Sequence, residues 1–238
     1  MIVKKYLFFI LAVLAAVPSL RAQSGAFVAG IAGVAEMPVG SLSVRFKPAA
    51  GVMIYAGQRT SPDWAWVGKF EYFELRTLNT DRLFKTVKLQ EGGGTQEYRV
   101  PLPGLTMRFR ASGFTAEAIT NVARWTRLEV NSHLGFGFYH WEFSRDAYND
   151  SLFVISTVTG LRTNAATLAV PDNQQTDWSG SINLGVDLGI AITGPVSVTL
   201  GADYRLIIGE LWPALEFDME NVSGIQMVTV RGGLKVEL

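Results

Sequence analysis

His140, Glu142 and Ser144 stand at alternate positions, and alternation in an extended chain puts all three on one face. A serine nucleophile, a histidine base and an acid are the parts of an acyl-transfer site of the lipid-modifying kind, provided that base and nucleophile come within hydrogen-bonding reach. No recognisable motif surrounds them, and a polar rim at the end of a strand accounts for the same residues. The other histidine, His133, lies near Arg127, Glu129 and Asn131, where a hydrogen-bonded side chain explains it. Two separated histidines without partners at ligand spacing make no zinc or copper site. Gly92 to Gly94 lacks the Lys-Ser or Lys-Thr that follows the glycines of a phosphate-binding loop. Absence of cysteine excludes disulfides and thiol catalysis. The expectation is a non-enzymatic protein without cofactor or metal.

The elements that must position such residues begin after residue 22. Lys4 and Lys5, the apolar run Tyr6 to Val17 and the segment Pro18 to Ala22 read as a cleavable secretory signal. Its apolar core of about 12 residues is too short for a membrane-spanning helix, which needs about 20. Residues 23–238 then form one domain. Removing residues 1–22 leaves 18 basic against 21 acidic residues, with both signs scattered, so nucleic-acid binding is not expected.

Hydrophobic residues make up 48% and charged residues 18%, yet no long apolar run follows the signal. The apolar surface must therefore sit in short alternating segments. Trp178 to Ile190 is the clearest, with Ile182, Leu184, Val186, Leu188 and Ile190 alternating with Ser181, Asn183, Gly185, Asp187 and Gly189. Leu128 to Phe138, Val196 to Leu206 and Val228 to Leu238 repeat the pattern. Ala26 to Ala35, Ala50 to Arg59, Trp64 to Leu75 and Leu105 to about Ala118 bring the strands to eight. In the last of these the apolar parity slips near Ser112 and Gly113, as at a β-bulge.

Tight turns at Ser61 to Asp63 and Thr193 to Pro195 alternate with long polar connections. The stretch Ile119 to Arg124 supplies the remaining short turn, the alternative being a helical turn over Ala116 to Arg124. Leu83 to Gln90 with Gln96 to Leu102, and Leu152 to Thr159 with Ala165 to Val170, read as hairpins projecting from the long loops; ten or twelve membrane strands are the alternative. Short turns on one side and long loops on the other describe a transmembrane barrel, whereas a soluble lipocalin-type barrel would turn its apolar face inward. Small polar residues on the polar faces, strand length and aromatics at strand ends favour the membrane.

On that reading Lys69, Glu71, Arg108, Arg110, Arg127, Glu129, Asp187, Asp203, Arg205, Arg231 and Lys235 point into the lumen. An eight-stranded barrel is just wide enough to be filled by side chains, so these pair as a charged network rather than line an open pore. Trp64, Trp66, Tyr139, Trp141, Trp178 and Tyr204 are the expected aromatic girdle at the membrane interfaces.

The signal, the opening Gly25-Ala26-Phe27-Val28-Ala29-Gly30 strand, the turn Gly57-Gln58-Arg59-Thr60-Ser61-Pro62-Asp63-Trp64, Tyr98-Arg99-Val100-Pro101-Leu102 leading to Met107-Arg108-Phe109-Arg110, and the closing strand carry a family likeness. Over roughly Gln23 to Leu238 the chain resembles small outer-membrane β-barrel proteins of the OmpA-like and PorT-like porin group. That resemblance implies an all-β, eight-stranded antiparallel up-and-down transmembrane barrel with long extracellular loops, lodged in a Gram-negative outer membrane. It also implies contact with outer-membrane lipid and, during insertion, with the barrel-assembly machinery. The expected role is structural, or binding of an unidentified extracellular or periplasmic protein through the loops; a narrow channel is the alternative.

Overall fold

A computed structural model describes residues 25–238, so the signal peptide expected over residues 1–22 lies outside the described residues. Eight antiparallel strands close into a barrel: β1 (Ala26–Pro38), β2 (Ala49–Ser61), β3 (Trp64–Leu75), β6 (Met107–Arg124), β7 (Leu128–Arg145), β10 (Asn173–Thr193), β11 (Val196–Leu211) and β12 (Val222–Glu237). Each pairs with its neighbour along the chain, and β1 closes the ring on β12. Two hairpins, β4 (Phe84–Glu91) with β5 (Gly94–Pro101) and β8 (Tyr148–Ile155) with β9 (Arg162–Val170), leave the wall from two of the long connections. A one-turn helix, α1 (Leu42–Arg45), sits in the β1–β2 connection.

The short turns and both ends of the described chain lie at one end of the barrel; the hairpins, α1 and the β11–β12 connection lie at the other. Two local expectations are corrected. Ile119 to Arg124 is neither a turn nor a helix but the end of β6, and the turn falls at residues 125–127. No bulge occurs at Ser112 and Gly113, since β6 pairs with β3 in unbroken register from Phe109 to Thr120, and the irregularity against β7 comes later, between Asn121 and Ala123.

The parity of β6 changes without a bulge because the surroundings of the strand change. Near the turn end, Phe114, Ala116 and Ala118 face out while Thr115 and Glu117 face in. Near the hairpin end, Arg108 and Arg110 face out while Met107, Phe109 and Ala111 face in. β7 inverts at the same level: Leu134, Phe136 and Phe138 point outward below it, and Tyr139, Trp141 and Phe143 point inward above it. The barrel thus has a membrane protein's polarity over its lower part and a water-soluble protein's polarity over its upper part.

The outward apolar stretch on β7, Leu128 to Phe138, covers 10 residue steps. At about 3.3 Å per residue and a tilt near 40° it stands roughly 25 Å tall, the height of the apolar band of a membrane barrel. Ile31, Val52, Ile54, Phe70, Phe114, Leu184, Leu200 and Leu234 extend that exposed surface around the circumference.

Candidate functional site: the filled lumen and the folded cap

Inside the band the inward residues of neighbouring strands meet as stacked ion pairs. Nearest the turn end, Arg59 donates to Glu237 at 2.5 Å and approaches Glu129 at 3.6 Å, and Lys235 joins the same two acids. Above them Arg231 donates to both oxygens of Asp187 at 2.7 Å and to Asp203 at 2.6 Å. The His133 ring fills the space between those aspartates, with Nε2 2.6 Å from Asp203 and Nδ1 3.4 Å from Asp187. Lys69 pairs with Glu117 and lies 3.8 Å from Asp203. In the next layer Arg205 forks onto Glu71 at 2.5 and 2.6 Å and reaches Glu36 at 3.3 Å, and the Thr229 hydroxyl donates to Glu36 at 2.8 Å.

Such pairs bind strongly because removal from bulk water enlarges the charge interaction, and the hydrogen bonds offset the desolvation. One cavity of about 50 Å³ remains among them, lined by Tyr55, Lys69, Glu129, Asp187, Thr199 and Arg231 among others. It has room for a few water molecules.

Above the ion pairs the lumen is apolar. The Arg205 guanidinium lies 5.1 Å from the Tyr139 ring centre and 5.8 Å from that of Phe73. On the neighbouring strands β3, β6 and β7, Phe73 packs tilted against Phe109 at 6.2 Å and Phe109 stacks on Trp141 at 6.0 Å, and Trp141 Nε1 donates to Ser179 Oγ at 2.8 Å. The Tyr139 ring lies flat against Gly113 on β6, where any side chain would collide with it. Leu42 and Phe46 from the β1–β2 connection, and Phe217 and Met219 from the β11–β12 connection, belong to the same core. So do Val87 and Val100 of one hairpin and Leu152 and Val154 of the other. The hairpins and the plugged barrel mouth therefore share one core and form a folded cap.

Of the side chains expected in the lumen, Lys69, Glu71, Glu129, Asp187, Asp203, Arg205, Arg231 and Lys235 are there. Arg108, Arg110 and Arg127 are not. Arg110 faces out and binds Glu142 at 2.5 Å, Arg108 faces out at 3.5 Å from Glu74, and Arg127 is exposed in the β6–β7 turn. The arginines on β6 stand above the membrane band, where the outer face is the wet one. Trp64, Trp66, Trp178 and Tyr204 face outward as a girdle requires. Tyr139 and Trp141 do not, since both are completely buried in the plug for the same reason of inverted polarity. Glu36 and Glu117 were missed: Glu36 falls just past the first strand as read from Ala26 to Ala35, whereas β1 runs on to Pro38, and Glu117 precedes a stretch expected to turn. Continuing the inward parity of β1 and β6 finds both.

His140, Glu142 and Ser144 face outward above the band, and no hydrogen bond joins any two of them. The His140 ring instead packs beside Trp178 at 5.0 Å, and Glu142 accepts from Arg110. The three side chains therefore stand as a row on the outer face of β7, with His140 and Glu142 each turned toward a neighbouring strand. Among the described residues no group of His, Asp and Glu has the arrangement of a metal site.

The cap is tied down at Asp218, which adopts the left-handed backbone region at φ 56°. Lys85 Nζ donates to its carboxylate at 2.5 Å and the Thr86 N–H at 2.7 Å, joining β4 to the β11–β12 connection. Burial pushes the Asp218 carboxyl up, but these donors outweigh it and hold it below the usual aspartate value of 3.8. A carboxylate lowered in the folded protein stabilises it above the unfolded value and loses that contribution as pH falls through the folded one. The Thr86 amide proton resonance is expected to shift on acidification with a midpoint below 3.8, and Asp218→Asn to abolish the shift. A midpoint at or above the ordinary value would remove the tether.

The fold and its filled interior define a class: this chain has the architecture of a small outer-membrane β-barrel protein. Within that class it is similar to Neisserial surface protein A at 16% identity, covering 89% of this chain and 97% of that one, with a TM-score of 0.45. OprG from Pseudomonas aeruginosa is similar at 6% identity over 91% and 97%, TM-score 0.46, and Ail of Yersinia pestis at 13% over 90% and 97%, TM-score 0.40. No family model and no curated protein sequence matches the chain.

Proposed function

We propose that the chain is a non-enzymatic protein of a Gram-negative outer membrane, in which a closed barrel anchors a rigid extracellular cap and the cap supplies a structural or partner-binding surface. The inversion of polarity along β6 and β7 carries this reading. It sets the water-facing level at Tyr72, Ser112, His140 and Trp178, and everything beyond it folds around an apolar core as a soluble domain does.

A channel finds less support. The charged layers occupy the lumen, and the plug above them is closed mainly by aromatic and aliphatic side chains, a poor environment for a passing ion. The cap instead exposes Phe153, Ile155, Val158 and Leu161 on its β8–β9 hairpin, and contiguous exposed apolar residues on a folded domain mark contact surfaces.

The test is made on the full mature chain refolded into vesicles. Heat-modifiable gel migration together with no single-channel conductance in a planar bilayer is the expected pair of results. A folded chain with steady conductance would make it a channel, and a chain that stays in solution without detergent would make it a lipocalin-type barrel.

A further inference from the structure

The outer wall is not electrostatically uniform. On the outward faces of β1, β2, β10 and β12 no residue is charged, and β11 carries one, Glu210. Arg108 and Arg110 both face out from β6 above the apolar band, and Arg76 follows directly on β3. Strand register arranges this sector in rows. Phe70, Phe114 and Phe138 lie side by side on β3, β6 and β7; the next row is Tyr72, Ser112, His140 and Trp178; the next is Glu74, Arg110 and Glu142. Arg108 stands opposite Ser144, one row further.

Each row lies about 5 Å above the last at the strand rise and tilt of a barrel. The arginines thus stand roughly 5 to 10 Å beyond the aromatic row, the depth at which a lipid carries its phosphate. The acids only partly neutralise them. Arg76 occupies both oxygens of Glu74, and Arg110 binds one oxygen of Glu142. Arg108 reaches Glu74 only at 3.5 Å, with no hydrogen bond among the described residues and its side chain 44% exposed. One guanidinium fork is left open above a wall of phenylalanines. Guanidinium binds phosphate through paired N–H donors, and the apolar wall below suits the acyl chains of the same molecule.

The geometry points to a phosphate-bearing lipid as the occupant of the β3–β6–β7 face, its headgroup held by Arg108 with Arg110 and its chains lying over Phe70, Phe114 and Phe138. This rests on the membrane reading above. Boundary lipid is measured by spin-label immobilisation around the full chain in phosphatidylcholine vesicles, with phosphatidic acid as the phosphate-bearing probe. Phosphatidic acid is expected to be selected about fivefold, the scale set by one cation at a charged membrane surface. Selection should fall with added salt, vanish in the Arg108→Gln/Arg110→Gln variant, and rise in Glu142→Gln, which frees Arg110. Glu210→Gln, on another part of the wall, should leave it unchanged.

Immobilisation of both lipids without preference would overturn the phosphate site while leaving the barrel in its membrane. Competition by inorganic phosphate at equal phosphate concentration would make free phosphate the occupant and overturn the lipid proposal. A chain that immobilises neither lipid and shows no heat-modifiable band would overturn the membrane reading as well.

Discussion

Arg205→Ala is expected to cost about 3–5 kcal/mol of stability, measured by urea unfolding from vesicles, because it leaves buried carboxylates without their counter-charge. Arg205 is fully enclosed, as are Glu36 and Glu71, and among the described residues it is the one arginine bonded to either acid. Its removal opens a void next to two acids whose remaining donor is the Thr229 hydroxyl on Glu36. The triple variant Arg205→Met, Glu71→Gln, Glu36→Gln keeps the volume and removes all the charge. It should recover most of the loss, since a buried ion pair replaced by packed neutral groups is close to neutral. A loss under about 1 kcal/mol for Arg205→Ala, the size of an exposed pair, would mean that water reaches this layer and that the lumen is not sealed.

Arg205 also shows what the sequence made legible. Asp203 and Arg205 alternate with Ala202, Tyr204 and Leu206, and in a strand with an apolar outer face that parity sends both charges inward. The same rule located Lys69, Glu71, Asp187, Arg231 and Lys235. It could not say which acid meets which base, because partners such as Arg205 and Glu36 lie 169 positions apart and meet only through closure of the barrel. Pairing of β1 with β12 carries no local signal.

The rule failed where one assumption was carried too far along a strand. Arg108 and Arg110 keep the parity of Phe114 and Ala116, so they face out, and treating them as lumenal required a bulge that does not exist. The sequence does contain the signal. Along β7 the aromatics move from even positions at Phe136 and Phe138 to odd ones at Tyr139, Trp141 and Phe143, while His140, Glu142 and Ser144 take over the even positions. An exchange of apolar and polar parity on two paired strands at one level marks a change of solvent, whereas a bulge shifts one strand against its neighbour.

That distinction makes Trp141 decisive. A tryptophan in an interface girdle is half in lipid and half in water, and its loss removes a modest anchoring contribution. In the plug, Trp141 stacks on Phe109, donates its indole N–H to Ser179 and is fully buried. Trp141→Ala is therefore expected to cost about 3–5 kcal/mol, the usual range for emptying a buried aromatic site. Trp178→Ala, whose ring points outward beside His140, should cost less than half as much under the same conditions. Equal losses would return Trp141 to the girdle and remove the cap's floor. Because hairpins and plug share one core, the Trp141→Ala barrel should also expose its β4–β5 and β8–β9 hairpins to protease faster, with the membrane strands still protected. Conductance should stay absent, since Arg205, Arg231 and their acids still fill the lumen beneath. A variant that loosened the cap and conducted ions would locate the seal in the plug rather than in the ion pairs.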